Sequence, residues 1–376
     1  MAWPRPTGRG WGLLASGALL CGGGLGFGYL APGALGALAF PTVGLAMALA
    51  GRPPAVRVRR RATVSRVRAG DPVTIVLEME ADSAVAAERV TGPQGTAVLR
   101  LGPARPRIRY ELSAERRGVI EAGPLSLVRT DPLGLVRAAR PAADEPVRVL
   151  VHPRHHDLAT VPAAGAGGRD TSSAATRATE GAFAGLREHA PGDDVRQIHW
   201  RTSARRGRLM VREHADTARP GLTVLVDDRY GPGELDALAE VAASIVRSGP
   251  DVPVDLRLAG GGYSPAGAAG TAQLDLLAEA VPRPDADFAA ACRRLRSAPS
   301  GRAVVLMSTA ATPQDMAAAL EALAARRTVS LLGLVGSDGP GDGAEPAAPP
   351  AGVRILRAPD AESFAARWNE TRWWTR

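Results

Sequence analysis

Lysine is missing from this 376-residue chain, so all 46 of its basic side chains are arginine. With 43 glycines, 31 prolines and abundant alanine alongside, the bias reads as GC-rich coding rather than as selection for bidentate guanidinium chemistry. The Gly-Ala-Gly-Gly run at 165–168 has no Gly-Lys-Ser/Thr after it, so there is no phosphate-cradling loop and the chain is not expected to hydrolyse nucleotide itself. Aromatic residues are only 4% of the chain, against a net charge of +8. Without aromatic-interleaved basic strands or zinc-finger spacing, that charge does not make a nucleic-acid binder, and no nucleic-acid partner is expected. Cysteine is nearly absent too. Cys21 sits in an apolar stretch far from Cys292, which argues against a structural disulfide and fits a reducing compartment.

Charge is missing altogether between Arg9 and Arg52. One spanning helix needs about 20 apolar residues, so residues 10–51 have room for two. Ala31-Pro32-Gly33 is the natural turn between Leu13–Leu30 and Ala34–Ala50. Glycine in the first half suits helices that pack closely in a membrane. Arg5 and Arg9 precede the pair, while Arg52, Arg57, Arg59, Arg60 and Arg61 follow it. Positive flanks on both sides predict a hairpin in the cell membrane with both ends, and the soluble domains, in the cytoplasm. Those arginines would lie on anionic headgroups, so membrane lipid is an expected partner. Ala37-Leu38-Ala39 has the form of a leader cleavage site, but more apolar sequence follows directly. Leu19-Leu20-Cys21 hints at a lipoprotein site with too bulky a residue before the cysteine.

Beyond the hairpin the rhythm changes twice. From 55 to 152 short runs alternate apolar and polar residues between Gly and Pro, as in Val73–Met79, Arg107–Leu112, Val119–Val128 and Val147–Val151. Period-two runs at this spacing predict a small antiparallel β-sandwich. Residues 153–179 are rich in Ala, Gly, Ser and Thr and read as a loop or linker. From 220 to 376, strands at Leu222–Val226, Val254–Leu258, Ala303–Met307 and Val329–Val335 alternate with helices. The helices are expected at Glu234–Arg247, Ala272–Ala280, Asp287–Arg296 and Pro313–Ala325. Such alternation predicts an α/β domain with a mostly parallel sheet covered on both faces.

Residues 180–214 between these parts hold the densest polar and aromatic stretch, LREHAPGDDVRQIHWRTSARRGRLMVRE. Pro191-Gly192 is a turn, Asp193 or Asp194 can cap a helix, Arg196 and Trp200 stand four apart on it, and Gly207 stops it. Asp193, Asp194 and His199 can be read as acid and base, with Ser203 nearby. Equally, Asp193, Asp194, Arg196, His199, Trp200 and Arg201 can form a partner-binding or purely structural network, since no nucleophile or metal spacing completes a site. This run closely resembles the signature of the bacterial domain-of-unknown-function family 58. Upstream, ERRGVIEAGPLSLVRTDPLGLVR and VHP are similar to the region that precedes it there. The resemblance implies two N-terminal membrane helices, a sandwich-like region and a von Willebrand factor A-like C-terminal fold. It also implies a MoxR-type AAA+ ATPase as partner, and it implies no particular reaction.

An A-like fold raises a metal-ion-dependent adhesion site, Asp-x-Ser-x-Ser after the first strand, whose oxygens suit Mg²⁺. Here Asp227 and Asp228 follow the strand, but Arg229 and Gly231 replace both serines. Ser308-Thr309-Ala310 ends a later strand without the expected acid. The site is therefore a degenerate one, with no metal and no cofactor expected. His152, His155 and His156 lack a completing cysteine or carboxylate set. Trp368, Trp373 and Trp374, interleaved with Arg367, Arg372 and Arg376, suit a docked helix end or an interfacial anchor. Trp368 is expected to dock. With no complete catalytic set, the chain is expected to be a membrane-anchored non-catalytic scaffold. The competing readings are an enzyme using Asp193, Asp194 and His199, and an extracytoplasmic adhesion domain.

Overall fold

The uncharged N-terminal stretch folds as two helices. After a short strand β1 (Arg5–Pro6), α1 covers Gly8–Gly26 and α2 covers Leu30–Ala50. The reversal falls at Phe27–Tyr29, with Gly28 at φ +75°, not at Ala31–Gly33 as the sequence suggested. Pro32 instead lies in the first turn of α2, where a missing N–H leaves no bond unmade. Glycine lets the helices meet backbone to backbone. A Cβ added to Gly36 would stand 2.5 Å from the Cys21 nitrogen and 2.6 Å from the Gly17 oxygen. Among the described residues one helix, α2, is long and apolar enough to cross a membrane.

A computed structural model of the chain describes residues 4–51, 57–79, 85–103, 105–142, 144–159, 161, 183–188, 200–214, 221–249, 252–266, 270–296, 302–309, 312–326, 328, 330–336 and 349–370. They divide into two compact units, Met1–His152 and Pro153–Arg376. The first unit continues with β2 (Val58–Ala62), β3 (Arg66–Arg68), β4 (Pro72–Met79), β5 (Val85–Gly92) and β6 (Gly95–Pro103). Then come β7 (Arg107–Ser113), β8 (Gly118–Thr130), β9 (Val136–Pro141) and β10 (Val147–His152). One sheet runs β1-β9-β8-β10-β3, with β5 also paired to β8 and β6 to β5; the other runs β2-β4-β7. All pairings are antiparallel except β10 with β3. Period-two alternation sends Val73, Ile75, Leu77 and Met79 of β4 into one core with Ile120, Ala122, Leu125 and Leu127 of β8. Inside, Arg60 ties the sheets together, 2.5 Å from Glu88 and 2.5 Å from Asp144, with all three side chains buried.

The second unit opens with β11 (Phe183–Glu188), α3 (Trp200–Arg206) and β12 (Met210–His214), where β11 and β12 pair antiparallel. There follow β13 (Leu222–Val226), α4 (Pro232–Ser248), β14 (Val254–Leu258), β15 (Tyr263–Ser264), α5 (Gly270–Glu279) and α6 (Phe288–Arg296). The unit ends with β16 (Ala303–Ser308), α7 (Pro313–Ala324), β17 (Ser330–Val335), β18 (Val353–Ala358) and α8 (Ala361–Glu370). The sheet order is β15-β14-β13-β16-β17-β18, parallel throughout except for the edge strand β15. Alternate strand residues feed two cores, as the continuous apolar runs require. Leu222, Val224 and Val226 pack with α4, α5 and α8, while Leu225, Val304 and Leu306 pack with α6 and α7. Trp368 of α8 is buried against Phe364, so it docks in the core as expected.

Candidate functional site at the carboxyl edge of the parallel sheet

In chain order the six strands lie 3-2-1-4-5-6, the doubly wound arrangement whose binding crevice opens where the connections diverge. Here that point lies between the carboxyl ends of β13, which leads to β14, and β16, which leads to β17. Asp227, Asp228 and Arg229 leave β13 there, and Ser308 and Thr309 end β16 beside them. The Asp227 N–H donates to the Met307 carbonyl at 2.9 Å, which carries the ladder one step past the strand and turns the carboxylate into the crevice. Asp227 is completely buried.

The Arg229 guanidinium fills the crevice. Its Nε and Nη2 each donate to one oxygen of Asp227 at 2.9 Å, a bidentate pairing. On its other side it reaches Asp315, at 3.2 Å from Nη1 and 3.0 Å from Nη2. The Ser308 hydroxyl donates to the second Asp227 oxygen at 2.9 Å. Phe288, at the start of α6, covers the guanidinium with its ring centre 4.5 Å away. Asp315 is placed by the cap of α7. Thr312 accepts from the Asp315 N–H at 3.2 Å, and its hydroxyl donates to the Asp315 carboxylate at 3.0 Å.

Electrostatics follow from this packing. Burial works to raise the Asp315 carboxyl, but its hydrogen bonds from Arg229 and Thr312 outweigh that and hold it below the ordinary value. Bonding to Asp227 holds Arg229 charged ever more firmly, against its own partial burial. Asp228 goes the other way. Burial raises it more than the Gly260 N–H at 2.7 Å lowers it. Burial, then the charge of Asp227, pushes the nearby Cys292 thiol up to about 12, which makes it an inert core residue rather than a nucleophile.

This arrangement does not fit a resident divalent ion. Of the oxygen donors here, Asp227 and Asp315 both pair with Arg229 and Ser308 donates to Asp227, so the guanidinium already supplies the positive charge at these carboxylates. Mg²⁺ would need near-octahedral contacts at about 2.0–2.1 Å, in the space that the guanidinium occupies. The sequence marked Asp227 and Arg229 but missed Asp315 and Phe288. Thr312-Pro313-Gln314-Asp315 is legible as a helix start, yet nothing in it shows that the acid faces Arg229.

Among the signature residues, Asp193, Asp194, Arg196 and His199 lie outside the described residues, so the expected cap, stack and acid–base pairing have no geometry to report. Trp200 opens α3 with 65% of its surface exposed, and Arg201 is exposed too. Ser203 is buried, and Gly207 follows the helix at φ +64°, the left-handed stop expected of it. His156 contacts Glu240 at 3.0 Å, while His152 belongs to β10 of the first unit.

Residues 185–363, from β11 into α8, match the family model described as "Protein of unknown function DUF58". The match supports the resemblance read from the signature run, and the N-terminal unit lies outside it. No curated protein matches the chain.

Proposed function

We propose that this chain is a membrane-anchored, non-catalytic binding scaffold whose α/β domain is von Willebrand A-like, with the metal of an adhesion site replaced by its own arginine. The observation that carries this reading is Arg229, bonded on both sides by Asp227 and Asp315 in the crevice where such folds bind ligands. A crevice plugged from within offers no reaction space, so recognition falls to surfaces around it. The anchor is supported by α2 and by the apolar side chains that the hairpin leaves exposed, among them Leu19, Phe27, Leu30 and Leu35. Flanking arginines on both sides of the hairpin support a cytoplasmic location for the soluble units.

The partner class that the family resemblance implies is a MoxR-type AAA+ ATPase. Co-purification from membranes tests it. A MoxR-type ATPase from the same organism, trapped by a hydrolysis-blocking substitution, is expected to come down with the tagged full-length protein. If neither the trapped nor the wild-type ATPase does so, the scaffold reading fails in this form.

A further inference from the structure

We propose that the loop between β8 and β9, Asp131–Leu135, is itself a membrane-embedded element, with Pro132 and Leu133 among lipid acyl chains beside α2. The inference rests on the membrane anchor above and adds a lipid-contacting surface to the sandwich unit.

Depth comes first. Leu135 and Val136 pack with Val43, Ala46 and Ala50 of α2. Pro132 and Leu133 share an apolar groove with Leu38, Pro41, Thr42 and Leu45. At about 1.5 Å per residue, the stretch from Leu38 to Ala50 is roughly 18 Å of helix running alongside the loop. Only Leu30–Ala37 extends past it, about 12 Å, against a hydrocarbon core of about 30 Å. A helix that crosses the membrane therefore carries this loop in with it.

The loop is built for that setting. Leu133 is 63% exposed, and it continues the exposed surface of Leu38, Leu45 and Leu49. The Asp131 carboxylate and the N–H groups of Leu133 and Gly134 are bonded within the loop, which lowers the cost of placing it in hydrocarbon. The buried Asp131 carboxylate accepts from the N–H groups of Leu133 at 2.9 Å and Val136 at 2.5 Å. The Gly134 N–H donates to the Asp131 carbonyl at 3.0 Å. Thr7 closes the other side, its hydroxyl donating to the Gly134 carbonyl at 2.7 Å and its N–H to the Leu135 carbonyl at 2.8 Å. Pro132 has no N–H to satisfy. Exposed arginines mark the headgroup level at the base of the loop, where Arg5 and Arg137 are register partners and the Arg9 guanidinium lies beside Gly134, so Pro132 and Leu133 are the part that reaches beyond it.

The test uses the full-length protein in nanodiscs of phosphatidylcholine and phosphatidylglycerol, with Cys21→Ser and Cys292→Ala removing the native thiols. An environment-sensitive fluorophore is attached at Leu133→Cys, at Leu35→Cys on the hairpin, or at Val98→Cys, an exposed apolar position on β6. Lipids brominated on their acyl chains are expected to quench Leu133 and Leu35 by at least twofold and to leave Val98 unchanged. Quenching at Leu35 but not at Leu133 overturns this proposal and leaves the anchor standing. Quenching at neither overturns the anchor as well. Circular dichroism of each labelled protein confirms that the fold is retained.

Discussion

Replacing Arg229 by methionine isolates its charge, because methionine keeps much of the apolar contact with Phe288 while leaving the buried Asp227 carboxylate without its bidentate partner. Breaking a buried ion pair by removing one partner costs about 3–5 kcal/mol. Asp227 retains the Ser308 hydroxyl at 2.9 Å and the Arg229 backbone N–H at 3.4 Å, so the lower end applies to the pair itself. Loss of the cation over the Phe288 ring adds about 0.5–2 kcal/mol. A total near 3.5–5 kcal/mol corresponds to roughly three-hundredfold to a few thousandfold in the opening constant, at tenfold per 1.4 kcal/mol. Amide hydrogen exchange of the β13 and β16 peptides reads that constant locally, without assuming that a two-unit chain unfolds in one step. Adding Asp227→Asn is expected to recover more than half of the loss, since no buried charge is then left unpaired. Arg229→Met should also flatten the acid limb. A lowered Asp315 stabilises the fold above the unfolded value of ~3.9, and this is lost as pH falls through the lower folded value. A cost below about 1 kcal/mol at neutral pH would refute the lock.

Three further outcomes are expected. Added Mg²⁺ or a chelator leaves exchange in β13 and β16 unchanged in the wild type, whereas Arg229→Ser, which frees the Asp227, Ser308 and Asp315 oxygens, becomes more protected as Mg²⁺ is titrated in; wild-type protection by Mg²⁺ would contradict the arginine's role. Asp228→Asn stabilises the second unit at pH 7 but not near pH 4: its raised carboxyl costs nothing while protonated below ~3.9, and costs more as pH rises through the folded value. The measurement is thermal unfolding across that range, and a less stable variant at pH 7 would count against it. Gly36→Val drives α1 and α2 apart, because backbone atoms of Cys21 and Gly17 cannot yield, while Gly22→Ala, with open space around it, leaves them in place. Electron–electron distances between spin labels at Leu19→Cys and Leu35→Cys decide this, and an unchanged Gly36→Val distance rejects it.

How legible each element is in the sequence depends on how local its signal is. The strands β4, β7, β13 and β14 were legible to within a residue or two, because period-two alternation or a continuous apolar run begins directly after Gly or Pro. By contrast β5 and β6 went unread, since Val85–Gly92 and Gly95–Pro103 mix Ala, Gly, Arg and Thr and gain their pattern only from pairing. The strand β18 was hidden similarly, its Val353, Leu356 and Ala358 buried by neighbours that lie far off in sequence. The hairpin turn was misplaced because Pro32 and Gly33 look like a turn, although proline is tolerated in a first helical turn and Gly33 serves close packing. At the site, Asp227 and Arg229 announced themselves by position. Asp315 did not, because what matters is its approach to Arg229 across 86 residues.

On the proposed reading, an arginine standing in place of a metal also changes what the crevice can respond to. A metal-bound adhesion site varies with cation concentration, and its open coordination position can take a ligand carboxylate. A guanidinium has no such vacancy, and its bonds to Asp227 hold it charged at any physiological pH. The Asp227–Arg229–Asp315 cluster is therefore constant in charge across that range. On the scaffold reading, any switching must come from the partner, which is the division of labour expected where an ATPase supplies the conformational work. Nucleotide-dependent capture, strong in one state of the ATPase and weak in another, is then the expected pattern. Binding that is the same in every nucleotide state would point to a static tether instead.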